Sequence, residues 1–274
     1  MEEVVLCEDA EDGVAVLTLN RPERLNAWTY PMQLALFDLL ERCVADERVR
    51  VIVVTGAGRG FCPGADMDDL SALSAPGETS AVETRQARLD DRPITFATTI
   101  AKPVIAAING ACAGLGLAFA LTCDIRICAA SAKLTTAFSR RGLVAEHGTS
   151  WLLPRLVGQA RALDLLLSGR VVRGAEAADI GLVNQAVEDD RVLERALEYA
   201  RDLAANVSPA SMATIKRQVY GDLSRPLDEA LSDANRLMIE SFSGSDFTEG
   251  VQSFVERRPP QFAPLDARQP APDS

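Results

Sequence analysis

The sequence predicts an α/β core followed by a helical appendage. Two observations carry this. Continuous apolar runs that end at glycines alternate with helix-period segments up to about residue 150, and from there on the pattern is mostly helical. Strands first and helices last is the order expected of such a two-part arrangement. The length of 274 residues suits one large domain, or one domain plus an appendage. No fixed-period repeat is visible in the sequence.

The elements follow in order. VAVLTLN (14–20) reads as a strand. YPMQLALFDLLERCVAD (30–46) has apolar spacing near 3.6 with a proline at its start, the mark of a helix. VRVIVVTG (49–56) and KPVIAAING (102–110) are strands buried on both faces. Residues 76–92 hold few large apolar groups and read as a loop or an exposed helix start. AGLGLAFALTC (113–123) is apolar on all sides and predicts a buried helix. DIRICA (124–129) and AKLTTAF (132–138) predict short strands. Beyond 150 come short helices over WLLPRLVG, QARALDLLLSG and GAEAADIGLV and a strand over VNQAVE. Four helices punctuated by Gly, Ser or Pro end near 262, and the tail is proline-rich.

Composition narrows the function. The net charge of −11 argues against nucleic acid, whose binding depends on Lys and Arg neutralising phosphates. The acidic start lacks the basic and apolar parts of a secretion signal, and no run is long enough for a membrane span, so a cytoplasmic protein is expected. The six cysteines form no CxxC pair and several sit in apolar runs, which predicts buried reduced thiols. With one histidine and no cysteine cluster, no metal site is expected.

Two glycine-rich junctions follow strands. GAGRGFCPGADM (56–67) has Gly56 and Gly58 but Phe61 where a dinucleotide fingerprint needs its third glycine, and no phosphate-loop Lys-Ser or Lys-Thr follows. A Rossmann oxidoreductase is thereby disfavoured. INGACAGLGLAFA (108–120) places Gly110, Gly114 and Gly116 at the opening of the buried helix. Its free N–H groups suit negative charge developing on an oxygen. The glycines serve equally to let helix and strand pack closely.

Taken together, NRPERLNA (20–27), GAGRGFCPGADM (56–67), KPVIAAINGACAGLGLAFALTCDIRI (102–127) and LLLSGRVVRGAEAADIGLVNQAV (165–187), in that order, resemble the enoyl-CoA hydratase/isomerase, or crotonase, family from about residue 4 to 262. The resemblance implies a spiral of β-β-α turns over 1–198, a C-terminal helical region over 199–262 that packs trimers or pairs of trimers, and a frayed tail over 263–274. It implies a CoA thioester substrate of the kind met in fatty-acid metabolism, with CoA entering as part of the substrate and no separate cofactor. The enolate oxygen would be held by the N–H groups of Ala65 and Leu115, the latter standing where the family usually has glycine. Asp66, Met67 and Asp68 match the loop beside the pantetheine and adenine, and Arg24 and Ala27 match its other adenine-side segment. Phe254 and Arg257 match C-terminal positions that close over CoA, in some members from a neighbouring subunit; an ordinary amphipathic helix would show the same residues.

Hydratases of this family hold water between two glutamates. By motif position these fall here at Ala118 and Phe138, neither of which can transfer a proton. Eight residues past Phe138 stands Glu146, where some family isomerases and dehalogenases carry a functional carboxylate. One carboxylate suffices to move a double bond, so an acyl-CoA isomerase with Glu146 as its acid/base is expected. A weak hydratase, another CoA-thioester lyase or hydrolase, and a non-catalytic acyl-CoA-binding scaffold remain alternatives. His147 reads as a bystander pointing elsewhere, Arg140 and Arg141 as surface or interface residues, and Trp151 as core or, alternatively, as lining of the acyl pocket.

Overall fold

In a computed structural model, residues 3–73 and 92–265 are described. The reading of 76–92 as a loop or exposed helix start lies, but for residue 92, outside them, as does that of the tail beyond 265 as frayed.

Six strands form the larger sheet: β1 (Val5–Glu11), β2 (Val14–Leu19), β3 (Val51–Gly56), β5 (Val104–Ile108), β7 (Ile125–Ala129) and β10 (Gln185–Val187), in that spatial order. β1 and β2 are antiparallel, and every other pairing in this sheet is parallel. Each residue of β3 and β5 is buried, as a parallel sheet covered on both faces requires. A smaller sheet joins β4 (Gly60–Cys62), β6 (Ala111–Ala113), β8 (Lys133–Thr135) and β9 (Val172–Arg173). Thus β3, β5 and β7 each hand over within a few residues to a strand of the smaller sheet, which is the β-β-α spiral the resemblance implies.

Helices cover these sheets. α1 (Tyr30–Ala45) is capped by the Thr29 hydroxyl, which accepts from the Met32 N–H, and buries Met32, Leu36, Phe37, Leu40 and Cys43 along one stripe. Such a side chain contributes about 1.5–3 kcal/mol when fully buried. α2 (Met67–Leu73) follows β4, and α3 (Leu115–Thr122) follows β6 and is buried from Gly116 onward. Then come α4 (Thr149–Val157), α5 (Gln159–Ser168) and α6 (Gly174–Asp179). α7 (Val192–Asn206) lays Ala196, Ala200 and Ala204 on the larger sheet, small residues at i, i+4 spacing that admit close approach. It runs unbroken across position 198, where the sequence reading starts the C-terminal region.

α8 (Pro209–Asp222), α9 (Leu227–Phe242) and α10 (Ser245–Glu256) complete the chain. α8 is pinned by the buried Lys216 ammonium, which donates to the Ala97 and Lys102 carbonyls at 2.9 and 3.2 Å and to Asp124 at 2.7 Å. Tyr220 adds a bond to the other Asp124 oxygen at 3.2 Å. On these last helices Ile215, Val219, Leu231, Ile239 and Val251 are each half exposed or more, a broad uncovered apolar surface.

The sequence reading departs from the structure at short strands. β1 escapes it because its run is acidic rather than apolar, although Asp12 and Gly13, both with φ > 0, make the D-G hairpin turn that announces the pair. β4 and β6 are three residues each, too brief to carry an alternation signal. β8 stops at Thr135 rather than 138, because the Thr135 hydroxyl accepts from the Ala137 N–H and Thr136 donates to the Leu165 carbonyl, bending the chain off the ladder. None of the six cysteines forms a disulfide, and five are buried. No helix of the described residues is long and apolar enough to cross a membrane.

Candidate active site

Two glycine turns meet at the C-terminal ends of β4 and β6. In the first, the Trp28 N–H donates to the Gly64 carbonyl at 2.7 Å and the Asp66 N–H to the Trp28 carbonyl at 2.9 Å. This bridge uses the neighbours of Ala65 and turns the Ala65 N–H away from Trp28. In the second, Gly114 (φ 50) leads into α3, and Leu115 is its first residue, with an N–H no helical carbonyl can reach. The turns touch: a Cβ on Gly64 would lie 3.1 Å from the Ala113 carbonyl oxygen and 3.8 Å from the Gly114 Cα. Among the described residues, neither the Ala65 nor the Leu115 N–H donates to a protein acceptor. Gly116 does the packing work that the sequence left as an alternative, since its Cα rests directly on the Cys62 carbonyl. The Leu115 side chain packs against the core from the partly buried rim.

The wall beside the second turn is apolar. A Cβ on Gly114 would lie 4.0 Å from Cε1 of Phe138, and both Phe138 and Ala118 are buried. The His147 ring stands 6.5 Å from Phe138, centroid to centroid, inclined at 49°. His147 Nε2 lies 3.5 Å from Glu146 Oε2, and each side chain is one-third exposed. The Glu146 carbonyl accepts from the Thr149 N–H and hydroxyl at 3.0 and 2.7 Å, which ties the loop to the start of α4. Burial raises the Glu146 carboxyl above its ordinary range and lowers the His147 imidazole below its own. Both shifts favour the uncharged forms.

Two expectations change here. His147 is not turned away from Glu146: its left-handed backbone (φ 54), followed by Gly148 (φ 75), folds the imidazole back onto the carboxylate. Trp151 is 40% exposed rather than core, and lies under the Arg155 guanidinium, 4.0 Å from the ring centre. Inward positions of α4 go instead to Thr149, Leu152, Leu153 and Val157. Arg140 and Arg141 are exposed as expected, and Arg140 holds the Ser168 carbonyl at 2.8 Å.

The loop residues matched to CoA surround the Ala65 turn. Asp66 is buried; it accepts from Arg21 at 3.0 Å and from the Asp68 N–H at 3.1 Å, and these donors hold its carboxyl below the usual range. Its side chain therefore fastens the loop and leaves only its backbone to meet a ligand. Ala27 is also buried, and its carbonyl accepts from Arg21 at 2.7 Å. Arg24 and Asp68 form an exposed ion pair at 3.0 Å, and Met67 is exposed beside them. Arg21 is the residue the sequence reading missed; its place in NRPERLNA is the signal that could have found it.

Phe254 and Arg257 are exposed at the end of α10. That helix is anchored at the far end of the sheet: Ser208 bonds Asp246 at 2.5 Å, Gly250 packs on Phe262, and the Phe262 carbonyl accepts from Arg50 at 2.7 Å. Arg50 precedes β3, whereas the first glycine turn lies beyond its other end, Gly56. Six strand residues separate the two by about 20 Å. Among the described residues, no hydrogen bond or ion pair links Phe254 or Arg257 to the Ala65 turn of their own chain.

Residues 9–264 match the family described as enoyl-CoA hydratase/isomerase. The chain is 38% identical over 255 residues to the 1,2-epoxyphenylacetyl-CoA isomerase of Escherichia coli (strain K12), covering 92% of this chain and 95% of that one. It is 39% identical over 254 residues to the "Probable enoyl-CoA hydratase" of Rhodobacter capsulatus, covering 93% and 96%. Among solved structures, an enoyl-CoA hydratase from Mycobacterium marinum superposes with a TM-score of 0.69 at 49% identity, over 82% of this chain and all of that one.

Proposed function

The chain belongs to the enoyl-CoA hydratase/isomerase family, and from that premise we propose that it shifts the double bond of an acyl-CoA thioester, with Glu146 as the one acid/base and the Ala65 and Leu115 N–H groups holding the enolate oxygen. What supports this is that Glu146 is partly desolvated and lies 3.5 Å from His147, whose ring stands 6.5 Å from Phe138 beside the Gly114 turn, while the positions matched to the hydratase carboxylates are the apolar Ala118 and Phe138.

The reaction follows from these groups. Two unpaired N–H groups in a preformed turn stabilise charge that develops on the thioester oxygen, and they need no rearrangement when it does. Ionised Glu146 takes a proton from the carbon next to the carbonyl. The electron pair moves into the enolate, and the same carboxyl returns the proton at the far end of the conjugated system. Desolvation makes Glu146 a stronger base than an exposed carboxylate. Exposed Arg24 and Met67 would meet the adenine end of CoA, with Asp66 and Ala27 shaping the loop from inside and Asp68 setting the position of Arg24.

A trimer, or a pair of trimers, is part of the same proposal. The uncovered apolar surface of α8–α10 supports it, and the exposed Phe254 and Arg257 could reach the site of a neighbouring copy. A weak hydratase is the second reading, favoured by the relatives named as hydratases and by His147 as a further proton-carrying group beside Glu146.

The test is Glu146→Gln assayed on a 3-enoyl-CoA. Losing a general acid/base costs about 10²–10⁴-fold in turnover. Unchanged turnover would remove Glu146 from the mechanism, and binding of acyl-CoA with no turnover by the wild type would favour a scaffold.

A further inference from the structure

Resting on the reading of Glu146 as the base, we propose that His147 is the exit through which the proton taken up by Glu146 is exchanged with water. His147 Nε2 lies 3.5 Å from Glu146 Oε2. The imidazole stands 6.5 Å from the Phe138 ring, tilted at 49°, and a third of its side chain is open to solvent. Its ring thus has contact with both the carboxylate and the outside. The loop is built to hold this arrangement, with a left-handed residue at 147, a left-handed glycine at 148 and two bonds to the Glu146 carbonyl. A left-handed backbone costs a non-glycine residue free energy, and histidine, with asparagine, is among those that adopt it more readily.

Each transfer balances. Substrate C–H breaks, its electron pair enters the enolate, and Glu146 becomes a carboxylic acid. Its O–H proton then passes to Nε2 of a neutral imidazole protonated on Nδ1, leaving carboxylate and imidazolium. The imidazolium gives a proton to water, and reversal of the path delivers a solvent proton to Glu146. Return of the original proton to the far carbon gives isomerisation without exchange, and return by way of His147 gives isomerisation or reversal with exchange. The carboxylic acid with neutral imidazole and the carboxylate with imidazolium carry the same net charge, so each step moves one proton and the route needs no outside oxidant or co-reactant.

The experiment is a double-bond shift on a 3-enoyl-CoA in D2O, reading deuterium incorporated per product formed. His147→Asn keeps a residue suited to the left-handed backbone while removing the titrating ring, and His147→Gln is the second variant should the first fold poorly, with folding checked by circular dichroism. Both are expected to lower deuterium per turnover at least about tenfold, a ratio that a merely structural role would leave alone. An unchanged ratio, or exchange and turnover falling together, overturns the proposal. Glu146→Gln separates the two layers. If it abolishes exchange and turnover while His147→Asn leaves the ratio unchanged, the base assignment stands and the exit fails. If Glu146→Gln retains both activities, the base assignment itself fails and the exit with it.

Discussion

Replacing Gly116 by alanine tests whether the two backbone N–H groups depend on contact between their turns. A Cβ at this position would lie 2.3 Å from the Cys62 carbonyl oxygen and 2.7 Å from the Cys62 Cβ, against ordinary contact nearer 3.5 Å. α3 and β4 must separate by about 1 Å, because the obstructing atoms are backbone and the base of a side chain. Overpacking of this kind costs about 3 kcal/mol, and removing a helical glycine returns about 1 kcal/mol. The net loss of about 2 kcal/mol lowers Tm by roughly 4–8 °C in a domain this size. The same displacement carries Leu115 away from the Ala65 turn, and a misplacement of about 1 Å can cost on the order of 10²-fold in rate. Differential scanning calorimetry and turnover with saturating acyl-CoA measure the two effects. Gly221→Ala is the control, since nothing lies within contact of its Cβ. Gly116→Ala with wild-type Tm and kcat would refute both the packing argument and the role given to this turn.

Other consequences can be checked as directly. Lys216→Met leaves Asp124 with only the Val104 N–H and Tyr220 hydroxyl and orphans two carbonyls; the urea midpoint should report a loss of about 3 kcal/mol, and a change below about 1 would deny the pin its importance. Because a base must be ionised and burial raises the Glu146 carboxyl above 4.5, kcat should climb with pH along a limb lying above the ordinary glutamate range; a flat profile from pH 4.5 to 7 contradicts this. Sedimentation equilibrium should give the mass of three or six chains for the wild type, and Ile239→Asp, placed on the uncovered apolar surface, should reduce it toward one.

Much of the fold is legible in the chain. β3 and β5 are unbroken apolar runs because both faces of their sheet are covered, and α1 shows its stripe because one face is covered and the other wet. The capping and turn residues of the C-terminal helices give their ends. What escaped is local and short: three-residue strands held by neighbours rather than by pattern, and an acidic edge strand. The site divides in the same way. Glu146 stands out by position once Ala118 and Phe138 are seen to be apolar, but the turn of His147 toward it depends on two successive left-handed residues, and a non-glycine φ of 54 is not written in residue type.

The sequence by itself determined which residues are available: strand and helix runs, glycines where backbone must come close, and a single carboxylate left beside apolar replacements. Tertiary structure alone decided what they meet. It set Gly64 against Gly114 so that two N–H groups stand in adjoining turns, brought His147 onto Glu146, and tied the segment after the last helix to Arg50 through the Phe262 carbonyl. The physical reason is that periodicity and propensity report on each element's own faces. The approach of one turn to another is a long-range outcome of how sheets and helices stack, and nothing in the local sequence encodes that distance.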